Sequence, residues 1–267
     1  MSAAAPRSLI VTVYGLYARP AGGALPISGL VRLLSEIDVD AQAVRAAVSR
    51  LKRRGMLEPA KISGAAGYAL TDAGWSVLDD GDARIFRPRR SRASDGWTLC
   101  VFSIPESERA KRHVLRGKLA WLGFGQAAPG VWIAPAHVLE SARDMLRRHD
   151  LSGYVSLFRA DYFGDAPAEA AAAVWWDLPK LDGMYREFLD RHGGHGGDAD
   201  PLAVWINAVT EWRVLPFLDP GLPAELLPPD WPGHAAVDLF HRLDKEFAGP
   251  AAVRARELLG WLSLPVG

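Results

Sequence analysis

At 267 residues and 29.0 kDa the chain is longer than a usual single domain, so two or three compact units are expected. It is 49% apolar and 23% charged with mean hydropathy near zero, and charges break every apolar run well before ~18 residues, which argues against a membrane-spanning class. Net charge is zero but unevenly spread: residues 1–94 hold 14 Lys and Arg against 8 Asp and Glu, and residues 176–267 hold 8 against 14, so the first third alone is suited to a polyanion. The start, MSAAAPRSLIVTVYGLY, shows no charged n-region ahead of a long apolar core, and a lone Cys100 cannot close an internal disulfide. A cytoplasmic protein without a secretory leader is therefore expected.

Residues 8–19, SLIVTVYGLYAR, predict a first helix closed by Pro20. ISGLVRLLSEI (27–37) spaces Leu30, Leu33, Leu34 and Ile37 at helical intervals, with Ser28 a candidate cap. Asp40 is placed to cap a third helix, which Gly55 ends where a left-handed backbone is easiest. MLEPAKI and YAL around the turn SGAAG predict a β-hairpin, and Thr71 is well placed to cap the helix that follows. RPRRSRASDG (87–96) predicts an unpacked basic linker.

Beyond it, WTLCVFSI, GVWIAP and YVSLFRADY predict strands that alternate with the helices ERAKRHVLRGKLAWLG and HVLESARDMLRRH. A fourth strand fits near FGQAA, which makes a ferredoxin-like α+β sandwich. From about 168 the pattern is helical, interrupted by GGHGGD and by the proline-rich DPGLPAELLPPDWPG, with two last helices after it. The expected fold class is α+β in three parts: a winged helix-turn-helix over 1–87, a ferredoxin-like middle domain over 95–167, and a helical C-terminal domain over 168–267.

The third helix, DAQAVRAAVSRLKRRG, carries Arg45, Arg50, Lys52, Arg53 and Arg54 with no acid after Asp40. On a helical wheel Val44, Ala47, Val48 and Leu51 share a stripe suited to a core. Gln42, Arg45, Ala46, Ser49, Arg50 and Arg53 fall opposite. That mixture suits a major groove: Arg pairs with guanine O6 and N7, Gln with adenine N6 and N7, and Ala permits close approach. Two helices, a turn, this helix and a hairpin give the order of a winged helix-turn-helix, with Lys61 near the hairpin tip within reach of a phosphate. The plainer reading is a solvated amphipathic helix.

Signals for catalysis are thin. Cys100 sits within an apolar run and reads as a small buried hydrophobe. His192, His195, Asp198 and Asp200 lie in a glycine-rich loop, a poor rigid cage for a metal, and no Cys cluster supports one. GFGQAAPG follows a helix and lacks Lys-Ser/Thr, so it fails as a phosphate loop, and no G-x-S-x-G elbow is found. No catalytic residue, metal or cofactor is expected. Nine tryptophans beyond the linker, Trp97, Trp121, Trp132, Trp175, Trp176, Trp205, Trp212, Trp231 and Trp261, are mostly core, and a few are candidates for the wall of an aromatic or acyl pocket.

QAVRAAVSRLKRRGML, YALTDAG, CVFSIPE, LAWLGFGQAAPGVWIAP, WWDL and DPGLPAELLPPDWPG, in this order from about Leu9 to Leu262, resemble the PaaX family of bacterial transcriptional repressors. The resemblance implies the same three parts, with a middle domain similar in fold to small CRISPR-associated endoribonucleases. Those enzymes depend on an Asp at the end of the first strand; here Ser103 and Ile104 stand there, which speaks against nuclease activity. It further implies a repressor of phenylacetate catabolism genes, released from double-stranded operator DNA by an aryl-CoA thioester such as phenylacetyl-CoA. A homodimer would set two reading helices about 34–36 Å apart. The effector-pocket residues cannot be read from sequence. Two alternatives are an acyl-CoA-handling enzyme with an accessory winged helix and a winged helix used only for protein contacts.

Overall fold

The computed structural model describes residues 4–260 apart from 87 and 89. Trp261 lies outside the described residues. By internal contacts the chain forms two compact units, each built from non-contiguous segments. Unit 1 comprises the described residues up to Ile85, Glu187–Arg213, and those from His234 onward; unit 2 comprises Phe86–Arg186 and Val214–Gly233. The α+β class expected from sequence is the one observed.

Unit 1 opens with α1 (Pro6–Val13), which continues through a π-helical turn (Tyr14–Ala18) and a short 3-10 turn (Arg19–Ala21) rather than as one regular helix to residue 19. After β1 (Ala24–Pro26) comes α2 (Ile27–Ser35). Pro26 occupies its N-cap and no side chain caps it, so Ser28 lies inside the helix and does not serve as the cap. Leu30, Leu33 and Leu34 are buried, as the spacing requires. Next are α3 (Ala41–Arg53) and the hairpin β2 (Leu57–Ile62) with β3 (Ala65–Leu70), and the antiparallel sheet has the order β1-β3-β2. The hairpin turn is shorter than SGAAG. Ile62 pairs with Ala65, leaving only Ser63 and Gly64 at positive φ, as a tight two-residue hairpin turn requires. Gly67 belongs to the strand, where a Cβ would lie 2.3 Å from the Leu25 carbonyl. Thr71 caps α4 (Asp72–Phe86) through Oγ1, which accepts from the Gly74 N–H at 3.1 Å and donates to the Gly55 carbonyl.

The C-terminal part of α8 (Leu178–His192), α9 (Pro201–Trp212) and α11 (Gly233–Leu259) complete this unit. Thr210 of α9 donates to Thr12 of α1 at 2.8 Å in a fully buried pair. Trp212 has no solvent exposure, stacks on Phe240 at 4.7 Å and donates its indole N–H to the Ile85 carbonyl at 2.8 Å. A single 27-residue helix with Pro250 inside it replaces the two expected at the end.

Unit 2 holds β4 (Trp97–Phe102), α5 (Arg109–Trp121), β5 (Gly125–Ala128), β6 (Val131–Pro135), α6 (Leu139–Arg148) and β7 (Val155–Ala160). The sheet is antiparallel in the order β5-β6-β4-β7, which is the ferredoxin-like arrangement. Cys100, Trp132 and Ala134 from the sheet meet Leu115, Leu119, Ala142 and Met145 from the helices in one core. α7 (Ala168–Trp175), the start of α8 and α10 (Leu215–Leu218) follow.

The basic stretch before β4 is anchored at Arg90 and Ser91, which corrects the linker reading there, while Arg92–Asp95 stay exposed. Arg90 pairs with Asp219 at 3.1 Å, Asp219 also accepts from the Tyr185 hydroxyl at 2.8 Å, and Ser91 is buried with its N–H on the Gly221 carbonyl at 3.0 Å.

Candidate nucleic-acid interface

α3 forms because its start and end are both satisfied locally. Asp40 accepts from the Gln42 and Ala43 N–H groups at 2.8 and 3.1 Å, and Gly55 takes φ 71° just past the last turn. Val44, Ala47, Val48 and Leu51 are buried in the unit 1 core, each of the larger ones contributing about 1.5–3 kcal/mol. Burying that stripe fixes which way the opposite face points. Tyr14 reinforces the arrangement by donating its hydroxyl to the Tyr68 carbonyl at 3.0 Å, tying the first helical segment to β3. Burial raises the Tyr14 phenol above its ordinary value, so it stays a donor.

Gln42, Arg45, Ala46, Ser49, Arg50 and Arg53 are all exposed, and so is Lys61 on β2, where it pairs with Ala66 one step back from the turn. Lys52 and Arg54 are exposed as well. Among the described residues none of these cations forms an ion pair, and no acid follows Asp40 within the helix. Arg50, Lys52 and Arg53 in the last turn also complement the negative end of the helix dipole. That accounts for their place but not for Arg45, which stands near the helix start. The outcome is a helix surface of unneutralised guanidinium groups interleaved with a glutamine, a serine and a small alanine.

Cys100, His192 and Asp200 are used structurally. Cys100 is fully buried, and burial pushes its thiol up to about 12, so little nucleophilic thiolate exists near neutrality. His192 is 2% exposed and bonds Glu211 through Nε2 at 2.9 Å, while Asp200 caps α9 by accepting from the Leu202 N–H. Among the described residues no three His, Cys, Asp or Glu side chains come together as a metal site. β4 ends at Phe102, and the next residues are exposed Ser103 and Ile104 buried in the core, so no carboxylate stands at that strand end. Of the tryptophans, Trp97, Trp132, Trp176, Trp205, Trp212 and Trp231 are buried and Trp121 is exposed. No described helix is long and apolar enough to cross a membrane.

Three family models match in succession: PaaX-like protein over residues 5–74, PaaX protein central Cas2-like domain over 90–172, and PaaX-like protein C-terminal domain over 176–256. The transcriptional repressor PaaX of Escherichia coli (strain K12) is 27% identical over 262 residues, covering 92% of this chain and 81% of that protein. Among solved structures, the uncharacterized protein Rv0674 from Mycobacterium tuberculosis matches with a TM-score of 0.63 at 25% identity, covering 96% of this chain and 98% of that one. The first matched segment contains α1 to β3, and so the whole exposed surface described above.

Proposed function

The chain belongs to the PaaX family, and from that premise we propose that it is a transcriptional repressor that reads double-stranded operator DNA with the outer face of α3. The observation that carries this reading is the exposure of Gln42, Arg45, Ala46, Ser49, Arg50 and Arg53 on one face, free of acids. Gln42 and Ser49 address base edges, Arg45, Arg50 and Arg53 address guanines or phosphates, and Lys61 of the hairpin contacts the backbone. In this proposal residues 1–87 read DNA, residues 95–167 form the middle domain, and residues 168–267 serve effector binding, dimerisation or both. As a homodimer the protein presents two reading helices to successive major grooves. An aryl-CoA thioester such as phenylacetyl-CoA releases it, to the extent that the ligand favours a dimer geometry mismatched to the half-sites.

The test is a mobility-shift assay on DNA upstream of its own gene, challenged with a panel of CoA thioesters. Specific, salt-sensitive retardation that an aryl-CoA reverses is expected. Salt-insensitive binding, or none, points to a protein-contact module instead. Release of free CoA from phenylacetyl-CoA by the protein points to an enzyme.

A further inference from the structure

Unit 1 carries a second meeting of cations, on elements other than α3. Arg213 follows the last turn of α9, and its Nη2 reaches the Ser8 carbonyl in the first turn of α1 at 3.4 Å. Arg7 precedes Ser8 in that turn, close enough for its charge to act on Arg213. The two helices are held together independently by the buried hydrogen bond from Thr210 to Thr12, about one turn further along each. Packing therefore fixes the approach of the two arginines.

Neither guanidinium is compensated. Among the described residues neither forms an ion pair, and Arg213 Nε is buried with no hydrogen-bond partner. Burial and the neighbouring Arg7 both push the Arg213 guanidinium below its ordinary value, and no carboxylate acts against them. The negative end of the α9 dipole explains a cation at Arg213, but it offers the Nε–H no acceptor. Arg7 sits at the opposite, positive end of α1, where the dipole disfavours a cation and where neither an acid nor a side-chain cap is present. A guanidinium buried without a partner is costly, and a like charge beside it adds to the cost. An anion between them cancels both.

We propose that Arg7 and Arg213 hold a phosphate-like oxyanion at the start of α1, either inorganic phosphate or the terminal group of a phosphate monoester. Two cations without an acid call for a dianion, whereas a carboxylate would cancel only one of them. Guanidinium forks match the paired oxygens of a phosphoryl group, and the uncapped first turn of α1 adds its dipole. The ligand joins α1 to the end of α9, and α1 packs on α3, so occupancy stabilises unit 1 against unfolding. The site stands whether or not the protein is a repressor.

Calorimetric titration and urea unfolding of the full chain at pH 8, in phosphate-free buffer at constant ionic strength, test this. Inorganic phosphate and glycerol 3-phosphate are the probes, with acetate and chloride as controls. At least one phosphate binds and raises the urea midpoint with the logarithm of its concentration, as mass action requires, and the controls do not. Tighter binding of the ester identifies a monoester as the occupant; equal or weaker binding identifies free phosphate. Arg7→Gln and Arg213→Met each weaken phosphate binding at least tenfold with unchanged far-UV circular dichroism, and the partly exposed Arg7 carries the test if Arg213→Met misfolds. Without phosphate, folded Arg213→Met is no less stable than wild type, because it removes an uncompensated charge. A lower midpoint there would make Arg213 a structural arginine and overturn the assignment. No phosphate-specific effect in the wild-type chain, or an unaltered one in the folded variants, overturns it as well. So does an Arg7→Gln chain whose salt slope on operator DNA falls while its phosphate affinity holds, which gives the pair to the DNA backbone.

Discussion

α3 and α5 are both thirteen-residue helices crowded with cations, and they differ in that two of the α5 cations are already paired, whereas Arg109, Arg116 and Lys118 form no ion pair among the described residues. On α5, Lys111 meets Glu108 at 2.8 Å and the Tyr154 hydroxyl at 2.7 Å, and Arg112 meets Glu106 at 3.0 Å and the Ile104 carbonyl at 2.7 Å. α6 repeats the habit, pairing Arg143 with Glu140 and Arg147 with Asp144. On α3 no cation has such a partner among the described residues. Exposed pairs of this kind contribute only about 0–1 kcal/mol to stability. Their larger effect is on the field, because a neutralised charge has little to offer a phosphate beyond the Debye length of about 8 Å. A count of arginines therefore does not locate a polyanion site. Nor does the lack of acids within a helix, since α5 has none either; what differs is that Lys111 and Arg112 already have acidic partners outside it.

The largest effect expected from this contrast is on DNA affinity. Arg50→Glu combined with Arg53→Glu removes two attractive charges and adds two repulsive ones, and should weaken operator binding more than about 100-fold at physiological salt. Arg45→Ala alone should cost about 1–3 kcal/mol if it reads a base, with ligand affinity nearly unchanged. Each lost phosphate contact lowers the slope of log K against log salt by about 0.9, so anisotropy titrations at several salt concentrations separate base from phosphate contacts. Wild-type affinity in the charge-reversed variant would mean that the unpaired surface does not meet DNA.

That α3 is legible in the sequence is a matter of range. Its cap, its terminal glycine and its buried stripe all lie within sixteen residues, and Thr71 likewise caps the helix it precedes. Arg90 and Ser91 give no such local signal because their partners are remote: Asp219 and Gly221 for Arg90 and Ser91, and His137 for the Ser91 hydroxyl. Pro250 misleads in the same way. Proline in a helix interior costs about 3 kcal/mol and locally signals a break. Yet Leu243, Phe247, Ala251, Ala255 and Leu259 continue a buried row at four-residue spacing straight across it, so packing outweighs the break.

Pairing matters differently where water is excluded, and Glu211 sharpens the comparison. It holds buried His192 at 2.9 Å and also Arg191. Burial by itself would raise its carboxyl pKa, but the bonds from His192 and Arg191 outweigh that and hold it below the ordinary value of 4.5. The linked stabilisation is therefore present above about pH 4.5 and lost as pH falls through the lowered value. Glu211→Gln should cost about 1–3 kcal/mol at pH 7, chiefly the penalty of leaving the buried His192 without its carboxylate. In urea melts the gap from wild type should shrink toward pH 3; a gap that grows there would reverse the assigned sign.

The one acid of α3 is spent on the helix itself. Asp40 accepts two backbone N–H groups, whereas α5 and α6 start without any side-chain cap. Asp40→Ala should lower stability by about 1 kcal/mol in the same urea melts. A loss of under about 0.3 kcal/mol would mean that core burial alone holds the helix in place.

The smallest effect falls on the paired helix, and it is the control on which the comparison stands. Arg112→Ala removes a guanidinium already shared between Glu106 and the Ile104 carbonyl, and Lys111→Ala removes an ammonium shared between Glu108 and Tyr154. Neither change should alter operator affinity more than about twofold, and the salt slope should stay within error of wild type, because no counterion-releasing contact is lost. Stability should move by less than about 1 kcal/mol, as for other exposed pairs. A tenfold loss of affinity from either substitution would show that α5 also lies against DNA. The ion pairing of Lys111 and Arg112 would then fail as the feature that sets α5 apart from α3, and the reading surface would have to extend onto unit 2.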